Sequence, residues 1–275
     1  DGATVVAGGV GASDVEMGYD GNIYVCDFGG GWSINTNGAI HVLTPTDKTQ
    51  QAAGARMAEV FKRGVAGESS ADLVASLQSS DRRLRQMAQF ELVKRGAEGQ
   101  ASLTDVAKDA AKKNITRLHG DWGLGQLARQ NNTEAVAALE DLAIDGDSEI
   151  RVNVARALGD AKGDAVRAKL LAMLGDESLR VRSLAGIALS RVVSQGDAEV
   201  IGALYQLAAA NGSQVVDPVL RHACLTALDR IGSVESAVAH ASDAQREVRM
   251  MAMLYLRRQG SAELSRFLND SDPQI

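Results

Sequence analysis

A nine-residue pattern recurs six times along the chain and limits its fold more than any other feature. An Arg is followed three residues later by a small or aliphatic residue and seven later by Leu, at Arg85, Arg117, Arg151, Arg182, Arg221 and Arg249. The first follower is Ala88, Gly120, Val154, Ala185, Cys224 or Ala252, and the second is Leu92, Leu124, Leu158, Leu189, Leu228 or Leu256. Offsets of three and seven fall on one helical face, and small residues there let neighbouring helices approach closely. The copies are spaced by 32, 34, 31, 39 and 28 residues. A second amphipathic stretch precedes each, among them SADLVASL, EAVAALEDLA, AVRAKLLAML and AEVIGALYQLA. Helix pairs of about thirty residues, each with an unburied apolar face, stack into a solenoid. The expected fold is mainly α, a right-handed superhelix of helix pairs over residues 66–275.

Residues 48–65, KTQQAAGARMAEVFKRGV, read as a helix capping the first pair, within a connecting segment at 46–65. Asp81, Asn114, Asp147 and Asp217 precede marked Arg residues and suit helix N-caps. They also suit pairing with Arg residues of neighbouring repeats. The repeated pattern resembles HEAT repeats of the short, bilin-lyase-like kind. In that family the second helix of each pair lines a concave face, and here those helices carry most of the Arg, including Arg129, Arg156, Arg180, Arg230 and Arg258. Two readings follow, a basic dock for an acidic protein surface or an intramolecular Asp–Arg ladder.

Residues 14–43 differ in character. Asp20-Gly21 is a tight-turn dipeptide between DVEM and NIYVCDF, and AIHVL forms a third strand after a loop with Gly29, Gly30, Gly31, Asn35, Asn37 and Gly38. In the middle strand Ile23 and Val25 alternate with Tyr24 and Cys26, so both faces are apolar and burial between sheets is expected. Three short strands make an antiparallel meander that cannot bury both faces alone. GYDGNIYVCDFGGGW…NGAIHVL resembles one blade of a sugar-dehydrogenase-like or NHL-like β-propeller, which implies a terminal blade over residues 1–45; the alternative is a small β-cap on the helices. At the other end, NDSDPQI at 269–275 repeats the lead-in to a marked helix, so a chain cut at both ends is expected.

Little in the sequence speaks for chemistry. Net charge is −6 and no long run of like charge occurs, which argues against a nucleic-acid footprint. No apolar run approaches the ~18 residues of a membrane-spanning helix. Cys26 and Cys224 belong to no Cys-x-x-Cys motif and are expected to be buried thiols. His41, His119, His222 and His240 do not cluster, and within HGDW Asp121 stands nearly across the helix from His119, so packing is the expected role. The glycines at 8–13 lack the Lys-Ser/Thr ending of a phosphate loop. Met250, Met251 and Met253 read as core filler. Asp20 and Asp27 flank the middle strand, and Ca²⁺ binding in a complete propeller is one reading of them, but carboxylates at turns are common. No catalytic, cofactor-binding or metal-ligating residue is assigned.

A blade running directly into short HEAT repeats is similar to large bacterial membrane-bound dehydrogenases, in which a sugar-dehydrogenase-like propeller precedes HEAT repeats and often a cytochrome c domain. That resemblance implies a spacer role within a larger, extracytoplasmic enzyme, with no cofactor in this stretch and with neighbouring domains of the same polypeptide or a protein as partner. A non-enzymatic interaction scaffold and a bilin-lyase-like chaperone are the alternatives.

Overall fold

The computed structural model describes residues 8–9, 11–29, 37–212 and 216–275. The expectations placed on Gly30, Gly31 and Asn35 lie outside the described residues. The chain divides into two compact units, Asp1–Glu68 and Ser69–Ile275.

The first unit contains β1 (Ala12–Met17), β2 (Ile23–Asp27), β3 (Ala39–Leu43) and α1 (Lys48–Arg63). The strands form an antiparallel meander in chain order, with Val15, Val25 and His41 side by side on one face and Glu16, Tyr24 and Val42 on the other. The turn between β1 and β2 is built by Asp20, whose carboxylate accepts from the Asn22 backbone N–H at 3.1 Å and from the Tyr24 hydroxyl at 3.0 Å. Gly21 is fixed twice over. Its φ is +81°, and a Cβ there would stand 2.6 Å from the Gly54 Cα of α1. Beside it, Tyr19 meets Phe61 of α1 edge-on at 5.1 Å.

The sheet departs from expectation in its burial. Of β2 only Val25 is buried, and Cys26 is exposed, because no second sheet covers the Tyr24–Cys26 face among the described residues. Val15, Met17, Ile40 and Val42 also stand exposed.

The second unit alternates shorter and longer helices: α2 (Ser70–Ser76), α3 (Arg82–Lys94), α4 (Ala97–Lys108), α5 (Asn114–Arg129), α6 (Thr133–Leu142), α7 (Ser148–Leu158), α8 (Asp164–Met173), α9 (Leu179–Val192), α10 (Ala198–Asn211), α11 (Pro218–Ile231), α12 (Val234–Ala239) and α13 (Arg246–Arg258). A 3₁₀ turn, Ala262–Phe267, follows. The odd-numbered helices from α3 to α13 are the marked ones, and each packs on the next in a single layer; α2, α4, α6 and α8 pack in a second layer alongside. This is an α-solenoid of helix pairs.

The spacing rule explains the core. All six marked Leu residues are at most 1% exposed, and every small residue three after a marked Arg is buried too. Gly120 shows why the position must be small: a Cβ would come within 2.7 Å of the Leu103 carbonyl oxygen, so α4 and α5 touch backbone to backbone. Asp81, Asp147 and Asp217 cap α3, α7 and α11 by accepting backbone N–H bonds. Asn114 does not cap. It is the first residue of α5, the cap position belongs to Lys113, and the Asn114 amide instead donates to the Asp147 carboxylate at 2.5 Å.

Candidate functional site

The marked Arg residues tie each repeat to the next. Arg151 donates backwards to the carbonyl oxygens of Asp145 and Gly146 in its own lead-in, and forwards to both carboxylate oxygens of Asp176 at 2.7 and 2.9 Å. Arg249 repeats this with Asp243 and Ala244 behind and Asp270 ahead. Arg117 reaches Asp145, Arg221 grips the buried Glu247 with two bonds of 3.0 Å, and Arg85 donates to His119 of the next repeat at 3.1 Å. Arg182 holds the Asp176 carbonyl oxygen behind it and meets no carboxylate among the described residues. The fixed Arg position therefore serves an intramolecular ladder, whose bidentate pairs are strong because the planar fork matches a carboxylate. Asp270 shows the electrostatic result: the Arg249 bonds hold its carboxyl down at about 2.

The remaining residues singled out by sequence are dispersed. His240 stacks on Tyr205 with ring centres 3.8 Å apart, His222 lies 3.4 Å from the Thr226 hydroxyl, and His41 pairs with Asp27 at 3.0 Å. The Asp27 carboxyl is lowered by the Gly29 backbone N–H and then by His41, so internal donors already occupy it. Asp20 is likewise engaged within its turn. Cys224 is buried, which pushes its thiol up to about 12. Among the described residues no group of His, Cys, Asp and Glu is arranged to hold a metal ion.

The junction of α5 with its neighbours is unusually polar. His119 is buried, with Nδ1 2.7 Å from the Gln89 amide oxygen while Nε2 accepts from Arg85. That arrangement fixes the Nδ1–H tautomer. Burial first and the Arg85 charge second lower its pKa to about 4. Asp121, four residues after the marked Arg117, is fully buried and neither carboxylate oxygen has a hydrogen-bond partner. Desolvation raises it to about 8. The sequence offers no mark of this beyond a carboxylate in an otherwise apolar helix face.

On the outer side of the same helices the residue five after the marked Arg forms a column: Phe90, Trp122, Arg156 and Ile187 on α3, α5, α7 and α9. Trp122 is 38% exposed, yet its ring is fixed, since the indole N–H donates to Asn153 at 2.9 Å and His119 meets it edge-on at 4.9 Å. A groove of about 260 Å³ between α5 and α7 is walled by Trp122, Arg129, Arg156 and Asp160. It adjoins one of about 310 Å³ between α7 and α9, walled by Arg156, Leu184, Ile187 and Arg191. Asp160 pairs with Arg129 at 3.1 Å and with Arg191 at 3.4 Å. Arg156, the wall common to both, has no ion pair or side-chain hydrogen bond among the described residues.

Comparison with known proteins agrees with this architecture. A family model described as HEAT repeats matches residues 115–190 and 136–217. No curated protein matches the chain by sequence. Among solved structures, a designed armadillo repeat protein is 17% identical with a TM-score of 0.41, over 71% of this chain and 100% of that one. The complex of CpcE and CpcF of phycocyanin lyase from a Nostoc species is 20% identical with a TM-score of 0.35, over 73% and 92%. The Kap95:Nup1 complex is 13% identical with a TM-score of 0.42, over 83% and 35%. Likeness at these levels carries no argument about partners or chemistry. The region 115–217 of this solenoid is similar in sequence to HEAT repeats.

Proposed function

We propose that the solenoid is a protein-docking scaffold. One observation carries the reading: the inter-repeat Arg bonds are spent on holding the helix pairs in register, while the outer column from Phe90 to Ile187 leaves large side chains and an unpaired Arg156 at the surface. Repeat arrays use such continuous surfaces to bind extended partners, and exposed aromatics with Arg are enriched where proteins meet. The test is site-specific photo-crosslinking from Phe90, from Val219, which is exposed on α11, and from Leu254, five residues after Arg249 on α13, followed by reconstitution of any crosslinked protein with the purified chain. A stoichiometric complex is expected; no reproducible crosslink from any of these positions would sink the reading.

The meander supports a second, contextual reading. Its Asp20-Gly21 turn, strand order and partly exposed apolar faces suit one blade of a larger propeller, and the scaffold then serves as spacer within a dehydrogenase of the propeller–HEAT–cytochrome kind, with no cofactor bound by these residues. The flanking coding sequence tests it. Propeller blades upstream and a Cys-x-x-Cys-His downstream are the expected finding, and HEAT repeats on both sides would overturn it. In that reading the 275-residue chain alone gives no turnover of sugars or alcohols with an artificial acceptor, quinone and Ca²⁺.

A further inference from the structure

The two adjoining grooves over α5, α7 and α9 share a wall, a sign of charge and a rigid aromatic end. Their charged walls are Arg129, Arg156 and Arg191 against Asp160 alone, three guanidinium groups to one carboxylate. This contrasts with a chain whose net charge is −6 and in which the marked Arg117, Arg151, Arg221 and Arg249 are paired with carboxylates in the ladder. Asp160 is shared between Arg129 and Arg191, so neither pair is exclusive, and Arg156 between them is left without a partner. Apolar surface flanks the charges: Trp122 at one end, Leu184 and Ile187 at the other.

We propose that this double groove docks an extended acidic segment of a partner protein, one carrying apolar side chains between its carboxylates. The proposal rests on the docking reading above and names the surface and the chemistry of its occupant. Charge complementarity selects the occupant, because a carboxylate placed at Arg156 completes a bidentate pair that nothing among the described residues supplies. Geometry sets its length. Neighbouring helices lie about 8–10 Å apart, so the two steps from α5 to α9 span roughly 20 Å, which about six extended residues cover. Trp122 adds little ordering cost on binding, since Asn153 and His119 already hold its ring. An apolar side chain of the segment lies on that ring while its neighbours' carboxylates face Arg156 and Arg191.

The test is fluorescence anisotropy on the full 275-residue chain with a labelled octapeptide alternating Glu and Leu, against versions alternating Lys and Leu or Ser and Leu. The Glu peptide is expected to bind at least tenfold more tightly than either control and to weaken as salt is raised. Arg156→Glu is expected to lower its affinity at least tenfold and Trp122→Ala at least fivefold. Arg180→Glu, which removes an exposed pair with Glu149 outside the groove, is expected to change it less than twofold. Equal affinity for the Lys peptide, or an Arg156→Glu variant that binds as well as the original, overturns the proposal. Arg156 makes no bond whose loss would unfold the chain, and unchanged circular dichroism confirms that the variant is comparable. If the peptide fails while Phe90, Val219 or Leu254 still crosslinks a protein that reconstitutes, the groove assignment falls and the docking scaffold stands. If neither occurs, both fall.

Discussion

Asp121 makes the stability of the α5 junction depend on pH, in a direction opposite to that of most carboxylates. Its carboxyl titrates at about 8 in the folded chain because it is desolvated and unpartnered, against ~3.9 when unfolded. Between those values the folded chain keeps a proton that the unfolded chain has released. Stability from this group is therefore complete below pH ~4 and is lost as pH rises, by about 1.4 kcal/mol per unit, levelling off above pH ~8. At pH 7 the loss reaches about 4 kcal/mol, a ceiling because water entering the site lowers the cost of the charge. Asp121→Asn keeps the volume and removes the titration. The assay is urea unfolding followed by Trp122 fluorescence in a Trp32→Phe background, at pH values from about 5 to about 9. Those are the two tryptophans of the chain, so the signal then comes from the residue next to Asp121. The stability of the Asn variant relative to the original should climb between pH ~5 and ~8 and then stay level. His119 works the other way: its pKa is lowered to about 4, so the stability it lends is complete above pH ~6.5 and is lost as pH falls toward the folded value. His119 is present in both chains and cancels in their difference. A difference constant to within about 0.5 kcal/mol over the whole range would refute the argument, since a pH-independent effect has some other cause than ionisation.

Three further expectations follow from the same structure. Leu189→Ala empties a fully buried position and should cost about 2–5 kcal/mol in a denaturant titration, whereas a loss below about half a kcal/mol would mean that the helical register is wrong. Asp270, held down at about 2 by Arg249, lends stability that is present above pH ~4 and lost as pH falls below it; carboxyl NMR should find its titration well below the usual range and find it moved upward in Arg249→Gln. Ser69–Ile275 is compact by itself, so deletion of residues 1–45 should leave the helical circular dichroism per solenoid residue unchanged, and the strands should exchange their amide protons fastest in the intact chain. Cooperative loss of the helices on that deletion would instead make the β-segment an integral cap.

The helices were legible because their signal is repeated. One Arg-to-Leu register copied six times averages out local ambiguity, and it placed each marked Leu and each small neighbour in the core. Single-copy features were harder. Asn114 has a good capping side chain, but it stands three residues before its marked Arg, not four as Asp81, Asp147 and Asp217 do, so it falls inside α5 and its side chain turns to Asp147. The alternation in β2 identified its two faces, while the burial of Cys26 depended on a covering layer that a strand pattern cannot report. The Arg residues were visible as a set, but their sequence positions do not separate Arg151, bound on both sides, from Arg156, bound on neither. That difference arises from the direction in which each leaves α7, together with the placing of Asp176 a repeat later. Asp121 illustrates the same limit, since a lone Asp in a helix is ordinarily at the surface.

Arg182 has no forward carboxylate among the described residues, and this has a mechanical consequence. Where other marked Arg residues cross to the following repeat, no side-chain hydrogen bond among the described residues joins α9 to α11, and a crossing bond appears in the other layer, where Arg167 of α8 grips Asp197 at the start of α10 at 2.9 and 3.0 Å. Apolar contacts slide at small cost, whereas a bidentate pair resists both shear and separation. Under a bending load the solenoid is expected to yield first at this step, opening on the α9–α11 side and pivoting about the Arg167–Asp197 pair. Among the described repeats this step is thus an elastic joint, placed just beyond the groove that ends at Arg191.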